Sequence, residues 1–243
     1  MSQSNTDTTP VAGRILHEDN HIVVVNKLPG ELAQGDDTGD EPLLEKVREY
    51  IRVKYCKPGN VFCGLVHRLD RPVSGAIVFA KTSKALTRLN EMVKDRNFSK
   101  HYWAVVEGRP RMAEARLEHY LKRNPANNRT LVSCESLEGW KRAELEYSTL
   151  ASSDRYSLLE VRLHTGRHHQ IRAQLAHIGN PIKGDVKYGA RRAELDRSIC
   201  LHARKISFTH PVSKELLSIV AEPFNPLFIN LIEKKCNLIK LFS

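Results

Sequence analysis

The chain has 243 residues, 41% of them apolar, which is enough to bury a sizeable core in one large domain or in two small lobes sharing a sheet. No run of about 18 apolar residues occurs, and the opening MSQSNTDTTP has neither the basic start nor the apolar centre of a secretory signal, so the reading excludes membrane spans and secretion and expects a cytoplasmic protein. Thirty-eight Lys and Arg against 28 Asp and Glu leave a formal charge of +10, which favours a polyanionic partner because neutralised phosphates release counterions, although charge alone names no partner.

In chain order, residues 1–12 are polar and are expected to form a disordered tail, with one domain filling 13–243. RILHEDNHIVVVNKLPG predicts two short strands around an Asp19-Asn20 turn, closed by a second turn at Pro29-Gly30. The acidic loop GDDTGDEP leads into a helix with Asp40 near its N-cap and Pro42 in its first turn. Leu43, Leu44, Val47 and Ile51 recur on one face of that helix. SGAIVFAKT predicts a buried strand, and SKALTRLNEMVKDRNF an amphipathic helix with Leu86, Leu89 and Val93 on one side.

KHYWAVVEG returns as a strand, and RLEHYLKRNPANNRTLVSCE as two short strands about a Pro/Asn turn. Lys122, Arg123 and Arg129 cluster near the tip of this hairpin, where they suit phosphate contact as well as they suit a solvated loop. AELEYSTLASSDRYSLLEVRLHTG alternates as an antiparallel pair, RHHQIRAQLAHIGN predicts a helix stopped by Gly179, and CLHARKISFTH and LLSIVAE add two strands. A last helix is expected from about Pro226, with Leu227, Ile229, Leu231 and Ile232 apolar. The pattern reads as an α+β fold with a mainly antiparallel sheet.

Asp70 raises the chemical question. In VHRLDRPVSGAIVFAKT, residues 66–82, it stands between Arg68 and Arg71 at the edge of a buried strand, where an ordinary turn aspartate is the plain reading. The five cysteines, at 56, 63, 134, 200 and 236, form no C-x-x-C pair, so neither a disulfide framework nor a thiolate zinc site is indicated. His164, His168, His169 and His177 fall close together, but without the carboxylate or thiol offsets of a zinc motif, so no metal is expected.

Four segments settle the reading in combination: HRLDRPVSG (67–75), KHYWAVVEG (100–108), HTGRHHQIRAQLAHIGNPIKGDVKYG (164–189) and CLHA (200–203). Together they resemble the RluA-type pseudouridine synthases, whose H-R-L-D motif, K-x-Y-x-A strand, G-R-x-H-Q-I-R helix, P-I-x-G-D-x-x-Y-G loop and L-H-A segment recur here in order over roughly residues 14–223. The opening VVVNKLPG resembles that family's first strand and turn. His168 departs from the pattern, standing where the family carries a small hydroxyl residue. No S4-type RNA-binding segment is seen in the sequence, so substrate selection is expected to rest on the catalytic domain.

The resemblance implies a two-lobed fold with a central, mainly antiparallel mixed sheet flanked by helices, acting as a monomer on structured RNA, either tRNA or large-subunit rRNA. No cofactor is implied, because breaking the N1–C1′ bond of uridine, turning the base and joining C5 to C1′ needs neither redox chemistry nor a metal. By resemblance Asp70 is the catalytic aspartate, acting on the sugar carbon or on a nearby proton, and Arg172 is the cation expected to keep it ionised. Tyr102 matches the active-site tyrosine and suits stacking on a flipped base, though a core aromatic of an alternating strand would look the same. Leu201 matches a pocket-wall position. His169 suits phosphate contact or helix packing, and Arg68 and Arg71 suit phosphate or local packing. Two rivals remain: a hydrolase using Asp70 and Asp185 as paired carboxylates, and an RNA-binding protein of the same fold without activity.

Overall fold

Asp19 makes the first reversal of the chain by accepting the backbone N–H groups of His21 and Ile22 on its Oδ1 at 2.6 and 2.9 Å. In this computed structural model, which describes residues 10–36 and 38–233, that turn joins β1 (Ile15–Glu18) to β2 (Ile22–Lys27) as an antiparallel pair. Of the tail expected over 1–12, residues 1–9 lie outside the described residues, and Val11 is already buried in a 3-10 turn, Val11–Arg14.

The described residues form two compact units. The first runs to Phe98 and takes back Ala203–Glu222; the second holds Ser99–His202 and the chain from Pro223. In the first unit, β2 pairs antiparallel with β4 (Ser74–Ala80), and β10 (Leu201–Thr209) follows β4 in the strand order. A two-residue strand, β3 (Gly64–Leu65), also pairs with β4, and β11 (Leu216–Val220) pairs with β10. Every residue of β2 and of β4 is buried, as unbroken apolar runs demand of strands covered on both faces. Val24, Val78, Leu89, Phe98, Phe208 and Ile219 belong to one core cluster, in which the rings of Phe98 and Phe208 stack at 4.7 Å.

Helix α1 (Leu43–Lys54) buries Leu43, Val47 and Ile51 of the four residues expected on its inner face, and leaves Leu44 half-buried. Its start differs from expectation: Pro42 is the N-cap, and Asp40 instead pairs with Arg71. Helix α2 (Ser83–Lys94) is capped by the Thr82 side chain, which accepts from the Ala85 N–H at 3.2 Å.

The second unit is an antiparallel array in the order β5 (Phe98–Glu107), β9 (Tyr156–Leu163), β8 (Lys141–Ser152), β6 (Glu114–Asn124), β7 (Arg129–Ser133). Helix α3 (Gln170–His177) begins three residues later than the sequence pattern predicts, because His169 takes a left-handed conformation at φ 48° and cannot join the helix. Residues 227–233 are helical and bury Phe228 and Leu231; the rest of the helix expected there lies outside the described residues. All pairings with a described register are antiparallel, and the fold is α+β.

Candidate active site

The loop carrying Asp70 is built in the first unit from β2 and β4. Lys27, the last residue of β2, stands opposite Gly75 in register and is fully buried. Its ammonium donates to the carbonyl of the adjacent Leu28 at 2.9 Å and to those of Arg71 and Val73 at 3.1 and 2.6 Å, so one cation ties the backbone just after Asp70 to the end of β2. Burial pushes the Lys27 pKa down to about 7, while the negative charges of Glu31 and Asp70 pull it the other way.

The Asp70 carbonyl accepts the Val73 N–H at 3.0 Å and closes the turn. Asp70 therefore does sit in a turn, and that turn is fixed from outside by a buried charge. Beyond it Gly75 has φ +117°, and a Cβ there would lie 2.4–2.5 Å from the Ala203 backbone, so only glycine lets β10 approach β4 this closely. The H-R-L-D loop and the L-H-A segment are joined through this contact.

Arg71 packs locally, donating from Nε to the Gly30 carbonyl at 3.0 Å and pairing with Asp40. Arg68 is exposed. His67 is buried, and its Nε2 accepts the Val78 N–H at 3.3 Å.

In the second unit Tyr102 lies on β5 opposite Val161, with 6% of its surface exposed. Lys100, two residues earlier on the same face, is pushed down to about 8 by burial. Arg172 on α3 is buried and held by Asp185, its Nε donating to Oδ2 at 2.6 Å and its NH2 to Oδ1 at 2.9 Å. Both carboxylate oxygens of Asp185 are thus committed to a guanidinium, an arrangement unlike a free acid or base of a hydrolytic pair.

Tyr188 closes the other side of Arg172, with the guanidinium carbon 5.1 Å from its ring centroid. Its hydroxyl accepts the Thr130 N–H at 2.7 Å and shares a hydrogen bond with His169 Nδ1 at 2.8 Å. His169 is buried. The hydroxyl absent at position 168 is supplied by Thr130 on β7. Its proton goes to the His168 carbonyl at 2.9 Å, and its oxygen lies 2.8 Å from His168 Nδ1, which therefore carries the hydrogen.

Lys122, Arg123 and Arg129 are all exposed, and the Arg129 guanidinium carbon lies 5.4 Å from the Tyr188 ring centroid. Leu201 is buried at the start of β10. Tyr188 and Lys27 were not singled out in the sequence. The signals that could have found them were the Y-G ending of the 164–189 segment and the lysine in VVVNKLPG.

A fold of this kind, carrying these segments in this order, defines a class of RNA-modifying isomerases, and comparison with known proteins agrees. The RNA pseudouridylate synthase family model matches residues 21–177, a span that includes Asp70, Tyr102 and Arg172. An RNA pseudouridine synthase of Bacillus subtilis strain 168, itself called uncharacterized, is 36% identical over 217 residues, covering 86% of this chain and 68% of that protein. The ribosomal large subunit pseudouridine synthase D of Zymomonas mobilis is 32% identical over 218 residues, again covering 86% and 68%. The chain thus spans about two thirds of the length of these relatives. Among solved structures, human RNA pseudouridylate synthase domain containing 4 shares the fold with a TM-score of 0.75 at 21% identity, covering 92% of this chain and 93% of that one. The chain belongs to the RNA pseudouridylate synthase family, of RluA type, and its reaction class is that of an isomerase.

Proposed function

We propose that the protein converts uridine to pseudouridine in large-subunit ribosomal RNA, as a cytoplasmic monomer, with Asp70 as the catalytic carboxylate. The observation that carries this reading is the loop of Asp70: a fully buried lysine grips it through the carbonyls of Arg71 and Val73, and a turn of no chemical consequence has no need of so costly a device. The names of relatives such as the Zymomonas and Buchnera enzymes favour large-subunit rRNA over tRNA.

In this reading Asp70 acts at C1′ or on a proton beside it while the N1–C1′ bond breaks. The freed uracil turns within the closed site and bonds through C5 to C1′, and C5 gives up its proton. Arg172, oriented by Asp185 and Tyr188, is the cation that this reading assigns to the reaction. Tyr102 stacks on the flipped base, with Leu201 as an apolar wall; one such stack is worth about 1–3 kcal/mol. Arg68, Lys122, Arg123 and Arg129 hold phosphates.

The test is incubation of the purified protein with large-subunit rRNA and, separately, tRNA lacking modifications, followed by pseudouridine mapping. New pseudouridine at defined rRNA positions is expected. Release of free uracil would favour the hydrolase, and modification of tRNA alone would reassign the substrate.

A further inference from the structure

The sequence pattern grouped His177 with its neighbours in the chain, but the fold takes it elsewhere. Among the described residues His119 on β6, Cys134 just beyond β7 and His177 at the end of α3 form one group, with a ligand atom of each within 4.8 Å of the others. All three belong to the second unit. We infer that His119, Cys134 and His177 form a binding site for a zinc-class divalent transition-metal ion, with a fourth position open to water.

The spacing is that of a metal site. Cys134 Sγ lies 3.6 Å from His177 Nε2. Tetrahedral zinc with Zn–S of about 2.3 Å and Zn–N of about 2.0–2.1 Å holds sulfur and nitrogen about 3.6 Å apart. The His119 and His177 rings meet edge to face with centroids 4.9 Å apart, so the second imidazole already converges on the same point.

The donors also select the ion. One thiolate and two imidazoles, with no carboxylate among them, favour zinc, cobalt or copper over magnesium or calcium. Cys134 is exposed and open to an entering ion, whereas Cys63 and Cys200 are buried away from it.

Gln174 supplies the outer support. It is fully buried with its amide nitrogen 3.0 Å from His119 Nδ1, and its Oε1 has no hydrogen-bond partner. A half-turn of this amide presents Oε1 to an Nδ1–H of His119 and leaves the Nε2 lone pair for the metal, the arrangement that usually fixes a ligating imidazole. The turn gives up two long contacts, at 3.4 Å, to the carbonyls of Leu117 and Ala143 and sets Oε1 near those oxygens, a cost that the His119 Nδ1–H bond and metal binding must offset. A bound ion would tie the end of β7 to the end of α3, the helix that carries Arg172, and so brace the helix without entering the reaction.

The experiment is titration of the full chain, stripped with a chelator under reducing conditions, with Co2+ and then Zn2+. One equivalent of Co2+ should bind with the intense visible bands of four-coordinate cobalt and a thiolate-to-metal charge-transfer band, and Zn2+ should displace it. Cys134→Ser should abolish the charge-transfer band, and His177→Gln should weaken binding by at least about tenfold. Both positions are exposed, so both variants should fold, and their unchanged circular dichroism would establish it. Absence of cobalt binding by the wild-type chain, or identical spectra and stoichiometry in Cys134→Ser, would overturn the assignment.

Discussion

Replacing Asp185 with Asn keeps the shape of the side chain but removes the charge that faces Arg172. The pair is 2% and 6% exposed and bidentate, so the substitution leaves a guanidinium charge buried beside an amide that can accept one of the two hydrogen bonds and must turn a donor toward the other. Breaking such a pair from one side costs about 3–5 kcal/mol. The single acceptor that Asn retains places the expected loss near the lower figure, about 3 kcal/mol. Urea unfolding of Asp185→Asn, Arg172→Met and the double variant gives the cycle, and a coupling energy of about 2 kcal/mol or more is expected. Turnover should fall by about a hundredfold as Arg172 loses its orientation, while remaining measurable. Additivity of the two single variants within about 0.5 kcal/mol would refute the account of the pair. Complete loss of activity in folded Asp185→Asn would revive the paired-carboxylate reading.

Lys27 should make stability depend on pH. Its native pKa is pushed down to about 7 from 10.5, so between those values the unfolded chain binds more protons than the folded one. Stability relative to a Lys27→Met variant should therefore rise with pH in that window, by at most about 1.4 kcal/mol per pH unit, and level off below about 7; denaturant midpoints that fall with pH would contradict this. Tyr102→Phe keeps the ring, so RNA affinity measured by fluorescence anisotropy should change little, and a drop of tenfold or more, beyond about 1.4 kcal/mol, would rule out stacking as the main contribution. Charge reversal at Lys122 and Arg123 should lower the slope of log affinity against log salt by about 1.4–1.8, the value for two phosphate contacts, and an unchanged slope would remove the hairpin from the RNA surface.

The parts of this molecule that were legible in the sequence are those with local causes. The Asp19-Asn20 reversal, the hairpin of β8 and β9 and the buried face of α1 follow from turn chemistry and periodicity alone. Asp70 became legible only through the ordered set of segments around it, since a turn aspartate carries the same local signal. What the sequence hid depends on contacts between distant residues. Lys27 looked like the polar end of a strand, and its burial follows from two carbonyls, those of Arg71 and Val73, brought to it by a loop more than 40 positions away. Asp40 sat where a helix cap belongs, but Arg71 claims it across 31 residues. Asp185 looked like a second reacting carboxylate until the fold placed a guanidinium on both of its oxygens. His177 was grouped with histidines near it in sequence, while its neighbours in space, His119 and Cys134, lie 58 and 43 positions earlier.

The central claim is that Asp70 performs the chemistry, and the most direct test is pseudouridine mapping of large-subunit rRNA after reaction with the Asp70→Asn protein. The carboxyl of Asp70 is replaced by an amide of the same shape, so the variant should fold and bind RNA with near wild-type affinity. Its rate should fall by several powers of ten, each costing about 1.4 kcal/mol of transition-state stabilisation, so that no pseudouridine accumulates. Pseudouridine formed by Asp70→Asn at the wild-type rate would return Asp70 to the part of a turn residue and contradict the account.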